Sequence, residues 1–322
     1  MPNPPLASGP LDVIPGHAHE LVARYWQRHQ QWSTLADQLK RQVTRWRTAT
    51  LVLAATGAVL QTTSAALGSG ALGTVVAVVG AVALVLVLFI AKFFLGPENV
   101  RQWLRSRSMS ESLKSLVYRF EAGGAPFDGD DRVVRLAAAA RQLEGWGPSL
   151  VVEFASIETA FAPAPGALAP DAYLARRVRD QIENYYRPRA RANSRLAQRF
   201  RRLELIAAAI AAILGAVATG LKLGPHTAGA SGIGAWVAVI TTIGGSVAAH
   251  AAASRYDHQA RMFFATARQL EDMLDDWTAL SGPRDPAHWS AFVGACEDVI
   301  SVENRGWLAK LDLEEQRTTA PP

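Results

Sequence analysis

Apolar residues in this chain are gathered into long uncharged runs. Thr48 to Ala91 contains no Asp, Glu, Lys or Arg, and neither do Leu205 to Leu221 or Leu223 to Ser254. A helix buried in a soluble protein rarely needs about 20 uncharged residues in succession, whereas a bilayer core about 30 Å thick does. Each charge at mid-bilayer costs roughly 3 kcal/mol on insertion scales. Breaks at glycine, proline and polar residues divide the runs into four spans, about 49–67, 72–95, 203–221 and 233–253. Gly68-Ser-Gly-Ala71 and the stretch Lys222 to Gly232 then become turns, giving two transmembrane hairpins.

Outside the spans the pattern is helical. Tyr25, Trp32, Leu39 and Trp46 recur every seven residues on a long helix leading into the first span, with Leu21 and Leu35 between them. That spacing predicts a coiled-coil-like seam against another helix. Pro97 suits the first position of a helix over 98–121, stopped by Gly123-Gly124. One or two helices follow over 131–160, with a break near Gly145-Trp-Gly-Pro148. A helix with a kink at Pro188 precedes the third span, and amphipathic helices over 255–280 and 286–313 follow the fourth. No segment outside the membrane sustains a period of two. The expected fold is therefore an all-α polytopic membrane protein whose long cytoplasmic helices form a bundle.

The chain divides near its middle at the linker 162–170, APAPGALAP. This predicts a disordered tail over 1–16, a first two-span unit over 17–161, a second over 171–313 and a tail over 314–322. Both halves run in the order leading helix, hairpin, trailing helices. Trp46-Arg47 aligns with Phe200-Arg201, a weak echo of duplication. Met1 to Gly16 lacks the basic start and apolar run of a signal peptide.

Charge sets the orientation. Of 33 Lys and Arg, only Lys222 lies in a hairpin turn, so the positive-inside rule puts both termini and the central segment in the cytoplasm. The formal net charge is only +5 and the basic residues track the spans, which argues against a nucleic-acid partner. The single cysteine, Cys296, excludes an internal disulfide framework and a Cys-based zinc site.

Enzyme signatures are lacking, and no cofactor or metal is expected. Gly68-Ser-Gly-Ala-Leu-Gly73 fits GxGxxG, but the motif binds dinucleotides only between a strand and a helix, and here it joins two spans. Gly215 to Lys222 approaches a P-loop that Leu221 breaks. His17 and His19 form only a lone pair, and Asp128-Gly-Asp-Asp131 reads as a polar turn before the next helix.

Two polar groups lie inside the spans: Gln61, Thr62, Thr63 and Ser64 on the first, and Thr241, Thr242, Ser246 and His250 on the fourth. They are either glue between helices or the lining of a wet path. Arg187, Arg191, Arg195 and Arg199, four apart, line one helix face that meets anionic lipid or an anionic ligand such as a nucleotide. On the third span Ala208, Ala212, Ala216 and Gly220 form a small-residue ladder, as do Ala207, Ala211, Gly215 and Thr219. Ladders on adjacent faces fit two close helix neighbours, within one chain or in an oligomer.

Three segments carry a family resemblance. Arg107-Ser-Met-Ser-Glu-Ser-Leu-Lys-Ser-Leu-Val-Tyr-Arg-Phe120, with Ala125-Pro-Phe127, resembles the post-hairpin signature of bacterial SLATT domains, the SMODS and SLOG-associating two-transmembrane effectors. Asp180-Gln-Ile-Glu-Asn-Tyr-Tyr186 and Cys296-Glu-Asp-Val-Ile-Ser-Val-Glu-Asn-Arg-Gly-Trp307 resemble the pre-hairpin and C-terminal signatures of a second subtype. The signature residues here are Glu111, Lys114, Gln181, Tyr185, Glu297, Glu303 and Trp307. The resemblance implies tandem two-transmembrane units working with nucleotide-synthesising or nucleotide-sensing partners in bacterial conflict. It implies a homo-oligomer in the plasma membrane that forms or gates a pore. A non-conducting scaffold is the alternative, and a small transporter the third.

Overall fold

The computed structural model describes residues 15–144, 162–222, 227–279 and 285–319, and every regular element among them is helical. Of the predicted tail over 1–16, residues 1–14 lie outside the described residues, as do the break near Gly145, Gly224-Pro225 and the joint at 280–284. α1 runs Pro15–Leu67, α2 Ala71–Phe93, α3 Pro97–Glu121 and α4 Arg132–Glu144. After the non-helical residues 162–169, Pro170–Tyr173 leads through two π-helical segments, Leu174–Arg179 and Gln181–Tyr186, into α5, Arg187–Lys222. α6 is Thr227–Ser254, α7 Tyr256–Ala279 and α8 Pro286–Thr319.

Among the described residues, four helices are long and apolar enough to cross a membrane, and they carry the four expected spans. Three boundaries differ from expectation. α6 begins at Thr227, inside the stretch read as a turn. α8 continues to Thr319, into the stretch read as a tail. The irregularity at Pro188 takes the form of wide turns just before it. Proline lacks an N–H and its ring collides with the carbonyl four residues back. The Arg187 N–H reaches back to the Ile182 carbonyl, five residues away, and the wider π turn makes room for the ring.

The chain forms two compact units that cut across the division at the linker. A bundle unit comprises residues 1–36, 104–179 and 273–322, and a hairpin unit comprises 37–103 and 180–272. The bundle unit has a conventional core. Val22, Tyr25 and Trp32 of α1, Leu113 and Val117 of α3, Phe127, Leu136 of α4, Val178, and Val293 of α8 are all buried. On α1 the buried row runs Val22, Tyr25, His29, Trp32, Ala36, the alternating three and four of a coiled-coil seam. The linker is held within this unit. Leu168 is buried and its N–H bonds the Glu121 carbonyl at 2.9 Å, while Gln30 pairs with the backbone of Ala162. Gly123, with φ +65, ends the signal of α3 as expected, and a Cβ at Gly124 would lie 2.3 Å from Val293 Cγ1, so only glycine fits that approach.

The hairpin unit is built differently. Its apolar helices are mostly uncovered: only 17% of the α2 window is buried. A surface of Val75, Val78, Val82, Val85 and Leu88 left exposed on one helix is what a lipid-facing helix presents. Helix approach within this unit is governed by glycine. A Cβ at Gly57 would lie 2.7 Å from Leu84 Cδ2, and one at Gly80 would lie 3.0 Å from Leu60 Cβ.

Candidate functional site: a buried charge cluster

The most unusual feature of the bundle unit is a set of charges in its core. Burying a charge is costly unless it is paired and hydrogen-bonded. Tyr173, Arg177 and Gln181 are four apart, so they share a helix face with the apolar residues Leu174, Val178 and Ile182 beside it. That face is buried, which takes Arg177 into the core at 1% side-chain exposure against Glu297 of α8 at 0%. The pair is bidentate: Arg177 Nε donates to Glu297 Oε1 and Nη2 to Oε2, both at 2.8 Å. The Tyr173 hydroxyl adds a third donor to Oε1 at 3.1 Å. The guanidinium lies 4.4 Å from the Tyr118 ring centroid, while its Nη1 meets no acceptor among the described residues. Burial alone would lower the Arg177 pKa; the Glu297 carboxylate reverses this and raises it. Burial, followed by the Glu297 charge, pushes Cys296 up to about 12 and Tyr173 well above its ordinary value. Cys296 is buried, and its nucleophilic thiolate form is disfavoured.

α3 adds a second layer. Burial works against ionised Glu111, but Arg107, Lys114 and Arg177 outweigh it and leave its pKa below the usual carboxylate value. Arg107 Nη2 pairs with Glu111 at 3.1 Å. Burial and then the Arg177 charge lower the Lys114 pKa. His29, a polar residue on the α1 seam, donates from Nδ1 to the Ser110 carbonyl at 2.9 Å. Burial and Lys114 lower its pKa to about 4, so it is neutral at pH 7. Four segments distant in the chain thus meet through charge and hydrogen bonds.

The residues singled out in the sequence are distributed over both units. Glu111, Lys114 and Glu297 enter this cluster. The side chains of Glu303 and Trp307 lie outside the described residues. Gln181 is buried in the hairpin unit, and Tyr185 packs edge-on against Phe263 at 6.0 Å. Gln61 Nε2 donates to the Ala77 carbonyl of α2 at 2.9 Å. Thr63, Thr241, Thr242 and Ser246 donate to carbonyls four residues back on their own helices. Thr62 and Ser64 are half-buried beside them. His250 packs at a tilt against Phe200, ring centroids 5.0 Å apart, and lines one cleft with Ser246. Of the arginine stripe, Arg191, Arg195 and Arg199 are exposed, and Arg187 pairs with Glu271 at 2.7 Å. Arg177, Tyr173 and His29 were missed, although the signal for Arg177 is its place on an otherwise apolar helix face.

An all-α chain with four apolar helices of spanning length, paired as hairpins, defines a polytopic membrane protein. Residues 173–307 match the family model of the SMODS and SLOG-associating 2TM effector domain 1. Residues 30–133 match a second family model, described as a protein of unknown function (DUF4231). No match was found among curated proteins or among solved structures. The charge cluster draws on both matched ranges: Glu111 and Lys114 lie in one, Tyr173, Arg177 and Glu297 in the other.

Proposed function

We propose that this protein is an oligomeric membrane effector whose paired hairpins form or gate a pore under cytoplasmic control, without a catalytic step of its own. The observation that carries the reading is a ladder without a partner among the described residues. On α5, Ala207 meets Gly244 of α6, so one small-residue face packs within the chain. The adjacent face, Ala208, Ala212, Ala216 and Gly220, is exposed along its length. Small residues at helical spacing let backbones approach closely in lipid, so a second copy is the natural occupant. The match to a two-transmembrane effector domain supports the effector role, and the family's association supports a nucleotide-linked partner as the trigger. The second half would be one SLATT unit and the first a diverged tandem copy. Both termini and the linker would lie in the cytoplasm of a bacterial cell, following the basic residues.

The scaffold reading has its own support. The hydroxyls on α6 are satisfied within their own helix, and Gln61 spends its amide on holding α1 to α2. Such groups pack helices without lining a path.

Reconstitution in liposomes separates the two. The effector reading expects ion flux, altered by a cyclic nucleotide or a nucleotide-producing partner, and abolished together with oligomerisation by Ala212→Leu. Oligomers that carry no current under any of these conditions would leave the hairpins as anchors.

A further inference from the structure

Two clefts in the hairpin unit adjoin at the open end of the hairpins, opposite their turns. The first, of about 330 Å³, is walled by Lys40, Arg47 and Arg189, with Asn193 and Gln259 beside them, and has no Asp or Glu in its lining. Neither Arg47 nor Arg189 pairs with a carboxylate among the described residues. The second, of about 340 Å³, shares Arg47 and His250 with the first, but its other walls are largely apolar: Leu51, Ala54, Val87 and Ala249. These four residues lie on helices α1, α2 and α6 within the spans. One site therefore offers the guanidinium groups of Arg47 and Arg189 at one end and hydrocarbon walls at the other.

We propose that the hairpin unit binds one anionic phospholipid here, with its headgroup phosphate among Lys40, Arg47 and Arg189 and an acyl chain in the apolar cleft. The chemistry is that of an anionic amphiphile. Guanidinium groups pair with phosphate oxygens in a forked geometry, and Asn193 and Gln259 supply neutral donors for ester and glycerol oxygens. A soluble nucleotide would satisfy the cations but leave the apolar cleft empty. The site differs from the exposed row Arg191, Arg195 and Arg199, which meets whatever headgroups surround the protein. It goes beyond the effector reading, and it stands whether or not the hairpins conduct.

The test uses the full chain, purified and delipidated in detergent, with native mass spectrometry and thermal unfolding as readouts. Phosphatidylglycerol should remain bound as a single copy and raise the melting temperature, while phosphatidylcholine should do neither. Arg47→Gln with Arg189→Gln should weaken phosphatidylglycerol binding at least tenfold, and Ala249→Leu, which fills the apolar cleft, should weaken it independently. Arg191→Gln with Arg195→Gln should leave it unchanged. If the double variant does not fold, Arg189→Gln alone carries the test, because that side chain is exposed. Equal binding of the two lipids, or full retention in the cleft variants, would overturn the proposal. So would ATP or inorganic phosphate reproducing the stabilisation without lipid, since the site would then serve a soluble anion.

Discussion

The bundle unit and the hairpin unit solve helix association in opposite ways. In the bundle, polar groups reach between helices far apart in the chain: Arg177 to Glu297, His29 to Ser110, and the Trp289 indole to the Ala122 carbonyl at 2.7 Å. In the hairpins, hydroxyls at Thr63, Thr219, Thr241, Thr242 and Ser246 turn back to their own helix, and close contact between helices rests on glycine, with the Gln61 amide bonded to the Ala77 carbonyl beside it. The difference follows from the solvent. Water makes a mispaired charge in the bundle easy to discriminate, because the wrong arrangement buries it without a partner. Lipid tails are as apolar as leucine, so helices in the bilayer gain little from burying apolar side chains and rely on close packing.

The sharpest test of this contrast is Glu297→Ala, which leaves Arg177 buried and uncompensated. Removing one partner of a buried pair costs about 3–5 kcal/mol. Thermal unfolding in detergent should report a large loss for Glu297→Ala and a much smaller one for Arg177→Met combined with Glu297→Leu. A loss below about 1 kcal/mol for the single variant would show that water reaches the pair.

The next effect is acid-dependent and confined to the bundle. His29 has a folded pKa of about 4, below its ordinary value of 6.5. Between these values the unfolded chain binds more protons, so stability falls as pH drops from about 6.5 towards 4. The full contribution is about 3 kcal/mol. Glu111, with its pKa held low, adds to the loss at the acid end, because protonation removes a carboxylate that the fold favours. His29→Gln should flatten the upper part of the unfolding profile. An unchanged profile would remove His29 from the cluster.

In the hairpins the sensitive positions are glycines. Gly57→Val drives a side chain into Leu84 and should cost about 1–3 kcal/mol, the usual range for overpacking. Gly245→Ala, where nothing lies within 4 Å, should change stability by no more than about 0.5 kcal/mol in unfolding measurements. Equal effects would mean that α1 and α2 do not meet at Gly57.

The two regions also differ in how far the sequence revealed them. The hairpins were legible because an uncharged run long enough to span is a one-dimensional signal. Tyr25 and Trp32 were legible through their seven-residue spacing, although the companion row of Val22, His29 and Ala36 was not, since a histidine and an alanine weaken an apolar stripe. The charge cluster was hidden by distance. Arg177 sits between Arg176 and Arg179 and looks like part of a solvated run, and its partner lies 120 residues away. Glu297 was singled out only through family resemblance. A duplicated order of elements suggests two separate units, whereas the compact units each draw on both halves. No local pattern announces which helices of one half pack with the other.

The smallest effect concerns the arginine stripe, where the comparison comes down to one exposed pair. Arg187 and Glu271 are 2.7 Å apart, with side chains 45% and 29% exposed. Pairs this open contribute about 0–1 kcal/mol, so Arg187→Gln should leave unfolding nearly unchanged, unlike any change at Arg177. Its lipid preference should barely move either, because Glu271 already offsets the charge. Arg191, exposed and with no carboxylate partner among the described residues, should lose about 1 kcal/mol of attraction to an anionic surface when made glutamine. Enrichment of phosphatidylglycerol over phosphatidylcholine in mixed-lipid nanodiscs measures this directly. The expected order is wild type close to Arg187→Gln, with Arg191→Gln lower, and all three converging as salt screens the surface. If Arg187→Gln gave the larger loss, the stripe would act through its paired member. Glu271 would then belong to a binding site, and the row would be more than a face of separate charges.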